Sequence, residues 1–406
     1  MEIARHLLLT LGIILAAGAA LGAIARRLRI PDVALFLVAG ILLGPAVSGL
    51  VVVRAGSALN QVVLVFGACY ILFDGGASLR FAVLKETWIT IVALATAGVI
   101  VTGAITAAAA WWLLGIPFIA ALLLGAAIAS TDPATLVPVF RQVRVRERVA
   151  QTVIAESALN DATGAIATFA VLGVALGTGA FSVADSLSDL ARQAGLGLGV
   201  GAILGYLAAL ATAHARVGIL GEYAPVVTLV AVIGAYLAAD GLQASGFMAV
   251  FALGVVFGNK DALGLAMPVH EQEKLDDFVA TTALVMRMFI FILLGTQVDF
   301  GLMDRYLAAG TGVVAVLMLV ARPVAVFACA LPDRRARWSL AEMLLMCWTR
   351  ETGAIPGALA GLLMGMNAPE APVIASVTFI AILVTLLVQA TTTRWLAWRL
   401  GLLEER

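Results

Sequence analysis

The motif ESALND, Glu156 to Asp161, sets two carboxylates and an amide inside a run, 149 to 184, where every other residue is uncharged and most are apolar. A carboxylate in such surroundings must be neutralised by a proton, a cation or a basic side chain, so the motif points to proton or cation handling. On a helix, at about 100° per residue, Glu156 and Asn160 share a face, and Asp161 lies about 140° from Glu156 with Ser157, Gly164 and Ala165. The two acids therefore meet different neighbours. Small residues around Asp161 leave room for an ion, whereas Glu156 is free to pair with an arginine elsewhere. The plainer alternative is that both are paired packing residues.

A second motif is STDPATLVPV, 130 to 139. Pro133 disfavours the helical conformation at Asp132 and suits the first position of a new helix, with Asp132 as its N-cap. The spacing predicts a helix broken in mid-membrane, whose exposed backbone ends can form a cation site, with Asp132 offsetting the positive end of the second half. A simple proline kink is the alternative. TRETGAIPG, 349 to 357, carries a related break at Gly353 and Pro356. Two interrupted helices in comparable positions of the two halves suggest an inverted repeat, pairing helices four to six with eleven to thirteen.

These motifs need a membrane around them, and the composition supplies it. Of 406 residues 62% are hydrophobic and 12% charged, against about 25% charged in an ordinary soluble domain. Apolar stretches of about 20 residues, enough to cross a bilayer, follow one another from Leu7 to Trp398. Net charge is zero, so no basic surface argues for nucleic acid. Cys69, Cys329 and Cys347 fall in apolar stretches and read as small buried residues.

The pattern predicts an all-α polytopic protein of thirteen transmembrane helices. They run over roughly 5–26, 33–53, 58–79, 86–113, 117–140, 147–175, 189–213, 222–240, 243–258, 274–298, 304–330, 337–364 and 371–401. The first is read as a spanning helix rather than a leader, because RRLR at 26 to 29 outweighs Arg5. Alternate connections, including those with Arg216 and Arg406, carry 18 positive residues against 4 on the other side, which puts the N-terminus outside and the C-terminus in the cytoplasm. The stretch 259 to 273 reads as a linker between halves. Inside the helices stand Asp74, Asp132, Glu156, Asp161 and Glu351 against Arg287, Arg322 and Arg350, leaving two carboxylates without a fixed cationic partner.

TDP, ESALNDATG and ARPVAV (321 to 326) together resemble the NhaP-like monovalent cation:proton antiporters of the sodium/proton exchanger family. PDVALFLVAGILLGP (31 to 45), ILFDGGASL (71 to 79) and IFILLG (290 to 295) extend the resemblance over nearly the whole chain. It implies that Asp161 binds cation and proton alternately, with Asn160 beside it, Thr131 and Asp132 in the unwound crossing, and Ser157 lending an oxygen. Glu156 and Arg322 resemble a structural ion pair. The implied architecture is a mobile core, 86–175 and 304–401, moving against scaffold and dimerisation helices, 1–80 and 189–298, in a homodimer of a bacterial inner membrane. One departure stands out: aligning GAIPGALA puts Thr352 where the family has an arginine, with Arg350 two residues earlier. Arg287 or Arg350 is then expected to compensate Glu351 and Asp74.

The mechanism expected is alternating access. One carboxylate binds either H⁺ or a monovalent cation, Na⁺ or K⁺, so the two compete and exchange is one for one and electrically silent. No cofactor is called for, and no Walker-type GxxxxGK[ST] occurs. A cation channel would need a continuous filter. A membrane-embedded hydrolase with Asp132 and Asp161 as its acid pair would need a nucleophile or metal cluster, but there is no GxSG, and His6, His214 and His270 fall at predicted helix ends.

Overall fold

The computed structural model describes residues 2–28, 30–54, 56–177, 183–213 and 220–404; Arg29, His214, Arg216 and Arg406 lie outside the described residues. The described residues are mostly helical. First come α1 (Glu2–Leu28), α2 (Asp32–Leu43) and α3 (Ala58–Ala77). Next, α4 (Phe81–Ala93) and α5 (Val99–Leu114) form one rod through a π-turn at Leu94–Gly98. The pair α6 (Phe118–Ala127) and α7 (Pro133–Val143) is separated by an unwound segment, and α8 (Glu147–Ala175) follows. The middle of the chain forms α9 (Val183–Thr212), α10 (Ala224–Gly241), α11 (Gly246–Gly258) and α12 (Val269–Thr296).

The last third repeats the order of α4 to α8. A rod with a π-turn, α13 (Phe300–Val316) and α14 (Arg322–Ala330), precedes an interrupted pair, α15 (Leu340–Trp348) and α16 (Ala354–Gly365). A final rod follows, α17 (Ala371–Val384) and α18 (Thr391–Arg399). The π-turn at Leu317–Ala321 has a local cause: Pro323 cannot donate to the carbonyl four residues back.

Among the described residues nine helices are long and apolar enough to cross a membrane, and α2, α6, α11 and most of α16 are shorter apolar helices. The expected helix 33–53 is cut short. Gly44 caps α2 and Pro45 follows, which stops the helix, so 44–53 runs as turn and extended chain. The expected linker 259–273 is also shorter: Lys260–Leu263 forms a 3₁₀ turn and α12 already starts at Val269.

α11 lies against α9 and α3, and α12 against α2 and α3; α5 lies against α6 and α13, α13 against α17, and α8 against α6 and α4. Gly40 of α2 and Gly295 of α12 face each other so closely that a Cβ on either would overlap backbone of the other helix. Small residues thus let the backbones touch, the contact that replaces hydrophobic driving force in lipid.

The connection from α3 to α4 ties the end of α11 to α8 at the end of the molecule that carries Arg80 and Arg146. Asn259, after α11, donates from Nδ2 to Leu79 O (2.7 Å) and accepts from Phe81 N (3.1 Å). Arg80 N donates to Gln151 of α8 (3.0 Å), and the Arg80 side chain pairs with Glu147 at 3.0 Å.

Candidate functional site

The unwound segments between α6 and α7 and between α15 and α16 cross in the buried interior. Asp132 N donates to Glu351 O at 2.9 Å, a backbone bond between the two breaks. Four half-helix ends converge here, each with unsatisfied backbone groups that need partners. Arg350 is fully buried and serves the carbonyl end of α6: its Nη2 donates to Ile128 O and to Ser130 O (3.4 Å), and its Nη1 to Thr352 Oγ1 (3.2 Å). Arg322 Nε donates to Met346 O (3.1 Å) and Gln389 Nε2 to Trp348 O (2.7 Å), which satisfies carbonyls at the end of α15.

Asp132 answers the opposite polarity. It directly precedes Pro133 at the start of α7, accepts from Thr135 Oγ1 at 3.1 Å, and its carboxylate rests against Gly353, the residue ahead of α16. A Cβ at 353 would overlap that carboxylate. Gly353→Ala is therefore expected to disrupt the crossing and cut the yield of folded protein severalfold, while Gly361→Ala, in open space, leaves it unchanged. Fluorescence-detected size-exclusion chromatography of the two variants checks this.

α8 runs past the crossing and clamps it. Asn160 Oδ1 accepts from Thr131 N (3.1 Å), and its Nδ2 donates to Thr131 Oγ1 (2.8 Å) and Glu156 Oε1 (3.4 Å). Thr131 Oγ1 donates to Ser157 Oγ (2.9 Å). Glu156 receives two hydrogen bonds from Arg322, at 2.6 and 2.7 Å, in a fork that fixes both oxygens. Asn160 is therefore turned to the crossing rather than toward Asp161.

Asp161 stands apart from this network. It is 2% exposed, and neither carboxylate oxygen has a hydrogen-bond partner among the described residues. The hydroxyl of Ser130, also without a bond of normal geometry, faces that carboxylate and is close enough to interact with it. Asp161 lines a cavity of about 590 Å³ between α3, α8, α10 and α16, walled by Leu64, Val65, Phe169, Phe247 and Leu359. The cavity reaches Asp189 and Gln193 at the start of α9, Asp240 at the end of α10, and Ser245. These lie at the end of the bundle opposite Arg80 and Arg146. None of the residues lining the cavity comes from that basic end, and on that side of Asp161 Gly75 of α3 lies close to Val137 of α7 and Ile154 of α8.

Of the residues singled out in the sequence, Thr131, Asp132, Glu156, Ser157, Asn160, Arg322, Arg350 and Glu351 come together at the crossing, and Asp161 alone lines the cavity. Glu351 is buried there with neither oxygen hydrogen-bonded among the described residues. The expectation for Arg287 is corrected: it pairs with Asp32 at 3.5 Å, because α12 packs on α2 and brings that acid to it. Asp74 lines a separate cavity of about 480 Å³ with Lys260, Gln272, Asp276 and Asp277. Arg350 is spent on Ile128 and Ser130 rather than on Asp74. Sequence reasoning missed Asp32, which sits at a helix start, and Ser130, although it opens the STDP motif.

A family model described as "Sodium/hydrogen exchanger, transmembrane" matches residues 13–399. The chain is 32% identical over 382 residues to Na(+)/H(+) antiporter 1 of Methanocaldococcus jannaschii, covering 91% of this chain and 86% of that one. It is 27% identical to the low-affinity Na(+)/H(+) antiporter NhaS1 of a Synechocystis species, covering 83% of this chain and 64% of that relative's length. It is also 27% identical to the K(+)/H(+) antiporter NhaP of Alkalimonas amylolytica, covering 98% and 68%. Among solved structures, that of the sodium proton antiporter MjNhaP1 from Methanocaldococcus jannaschii at pH 8 superposes with a TM-score of 0.79 at 29% identity, over 98% of this chain and 99% of that one.

Proposed function

Because this chain belongs to the sodium/hydrogen exchanger family, we propose that it exchanges protons for a monovalent cation, Na⁺ or K⁺, across the membrane with Asp161 as the shared carrier. It is a transporter, not an enzyme. The observation that carries the reading is the isolation of Asp161: a buried carboxylate, free of arginine and of hydrogen bonds among the described residues, at the inner end of a cavity. Glu351 is also buried with neither oxygen hydrogen-bonded among the described residues, but it does not line that cavity.

The cycle follows from charge. A bare carboxylate away from water is costly, so Asp161 moves through the protein only when loaded with H⁺ or a cation, and either one displaces the other. The cavity gives access from one end, while on the other side of Asp161 the Gly75–Val137–Ile154 seam is closely packed. Alternating access requires the set built from α4 to α8 and α13 to α18 to shift against the rest, opening that seam as the cavity closes. Thirteen spans with the N-terminus outside would turn the cavity outward, and a homodimer in a bacterial inner membrane would hold the remaining helices still. The lining of the cavity does not extend to the basic end, which supports this reading over a channel, since a channel needs a continuous path.

The test is proton movement in proteoliposomes, followed with a pH-sensitive dye while NaCl or KCl is added. Saturable exchange whose rate ignores an imposed membrane potential is expected for one-for-one exchange on a single carboxylate. A rate that follows the potential would contradict that stoichiometry and bring Glu351 into the cycle as a second carrier.

A further inference from the structure

The charges buried at the crossing do not cancel. Asp132, Glu156 and Glu351 stand against Arg322 and Arg350, three acids to two bases, so the acids are one in excess. Glu156 and Arg322 form a closed pair at 2.6 and 2.7 Å. Arg350 gives its donors to Ile128 O, Ser130 O and Thr352 Oγ1, none of them a carboxylate, so its charge answers the carbonyl end of α6. Asp132 has supports of its own: the hydroxyl of Thr135 at 3.1 Å, the start of α7, which it precedes, and the start of α16, whose Gly353 it rests against. Glu351 has none of these. It is fully buried, and neither carboxylate oxygen accepts a hydrogen bond among the described residues. The charged groups around it are Asp132, Arg322 and Arg350, and both guanidiniums are engaged elsewhere.

An ionised carboxylate without donors is costly in an interior poor in water, and a second acid beside it adds repulsion. Such a group is held neutral. Asp132 is the second acid here, since its main-chain N donates to Glu351 O at 2.9 Å and the two residues touch. We propose that Glu351 holds a resident proton and stays a neutral carboxylic acid throughout the transport cycle. Arg322 and Arg350 then balance Glu156 and Asp132, whether Asp161 carries H⁺ or a cation. Glu351 is a positioning residue in this role: its neutrality lets Arg350 and Asp132 serve the half-helix ends with their charges matched. The consequence for the cycle rests on Asp161 being the carrier, whereas the proton on Glu351 follows from the crossing alone.

The experiment is infrared spectroscopy of the protein in proteoliposomes, with its glutamates carrying a heavy carbon isotope at the side-chain carboxyl. The label moves the C=O stretch of a protonated glutamate and leaves that of an aspartate in place. Expected at neutral pH is a protonated-acid band that moves with the label, persists when NaCl or KCl is added to saturation, and is lost in Glu351→Gln. The other buried glutamates, Glu156 and Glu342, pair with arginines, so this band has one source. Should Glu351→Gln fail to fold, the label and the cation titration decide the matter on the parent protein. Absence of a label-sensitive acid band at neutral pH would overturn the proposal, as would a band that survives in Glu351→Gln. So would a label-sensitive band that vanishes as cation binds, which makes Glu351 a second carrier. The Asp161 band, insensitive to the label and lost in Asp161→Asn, is expected to vanish on cation addition. If it stays while the glutamate band also stays, the carrier assignment fails and the resident proton stands.

Discussion

Asp161→Asn is expected to abolish cation-driven proton movement while leaving the protein folded and inserted. The asparagine amide has nearly the volume of the carboxylate but can neither take up a proton at neutral pH nor balance a monovalent cation. Little hydrogen bonding is lost, because neither oxygen of Asp161 has a partner of normal geometry among the described residues and an asparagine can still meet the Ser130 hydroxyl that faces it. An intramembrane acid also costs about 2.5–3.5 kcal/mol on insertion scales, so its removal should leave thermal stability equal or higher. Dye dequenching in proteoliposomes reads the activity, and thermal unfolding in detergent reads the fold. Loss of activity together with loss of fold would point to a structural residue instead.

Arg322→Met is expected to do the reverse and strike stability first. Arg322 is 3% exposed and Glu156 1%, and both carboxylate oxygens are held by the guanidinium. Taking away one partner of a buried pair strands the other charge, at a cost of roughly 3–5 kcal/mol. The damage should spread to the crossing, since Glu156 also bonds Asn160, which holds Thr131, and Arg322 itself serves Met346 O. Combining Arg322→Met with Glu156→Gln removes both charges, and this double variant should recover most of the lost thermal stability. If the single variant unfolds like the parent protein, the pair is not what joins α8 to α14.

The contrast between these residues was legible in the sequence where one helix decides the geometry. Glu156 and Asn160, four apart, share a face of α8, and Asp161 points elsewhere, as the 100° rule requires. The start of α8 at Glu147 follows the arginine-rich stretch before it, and the break at Pro133 follows from proline's missing N–H. Partners across helices were not legible. Arg287 meets Asp32 because α12 packs on α2, and nothing in the spacing of either segment encodes that neighbour. Arg350 lies in an unwound segment where helical angles do not apply. Only the fold shows its guanidinium reaching the carbonyl end of α6, which gives it a partner. The end of α2 at Gly44 was misread because the residues after Pro45 are nearly as apolar as those before it.

The proposed cycle depends on one side chain holding a proton or a cation in turn, and binding measured without transport tests that most directly. Isothermal titration of the purified protein with NaCl or KCl, repeated in buffers of different ionisation enthalpy, counts the protons released per cation bound. The account predicts release of about one proton per cation near the midpoint of proton binding, falling to none in Asp161→Asn along with the binding itself. Saturable cation binding that releases no proton, or that persists unchanged in Asp161→Asn, would contradict it.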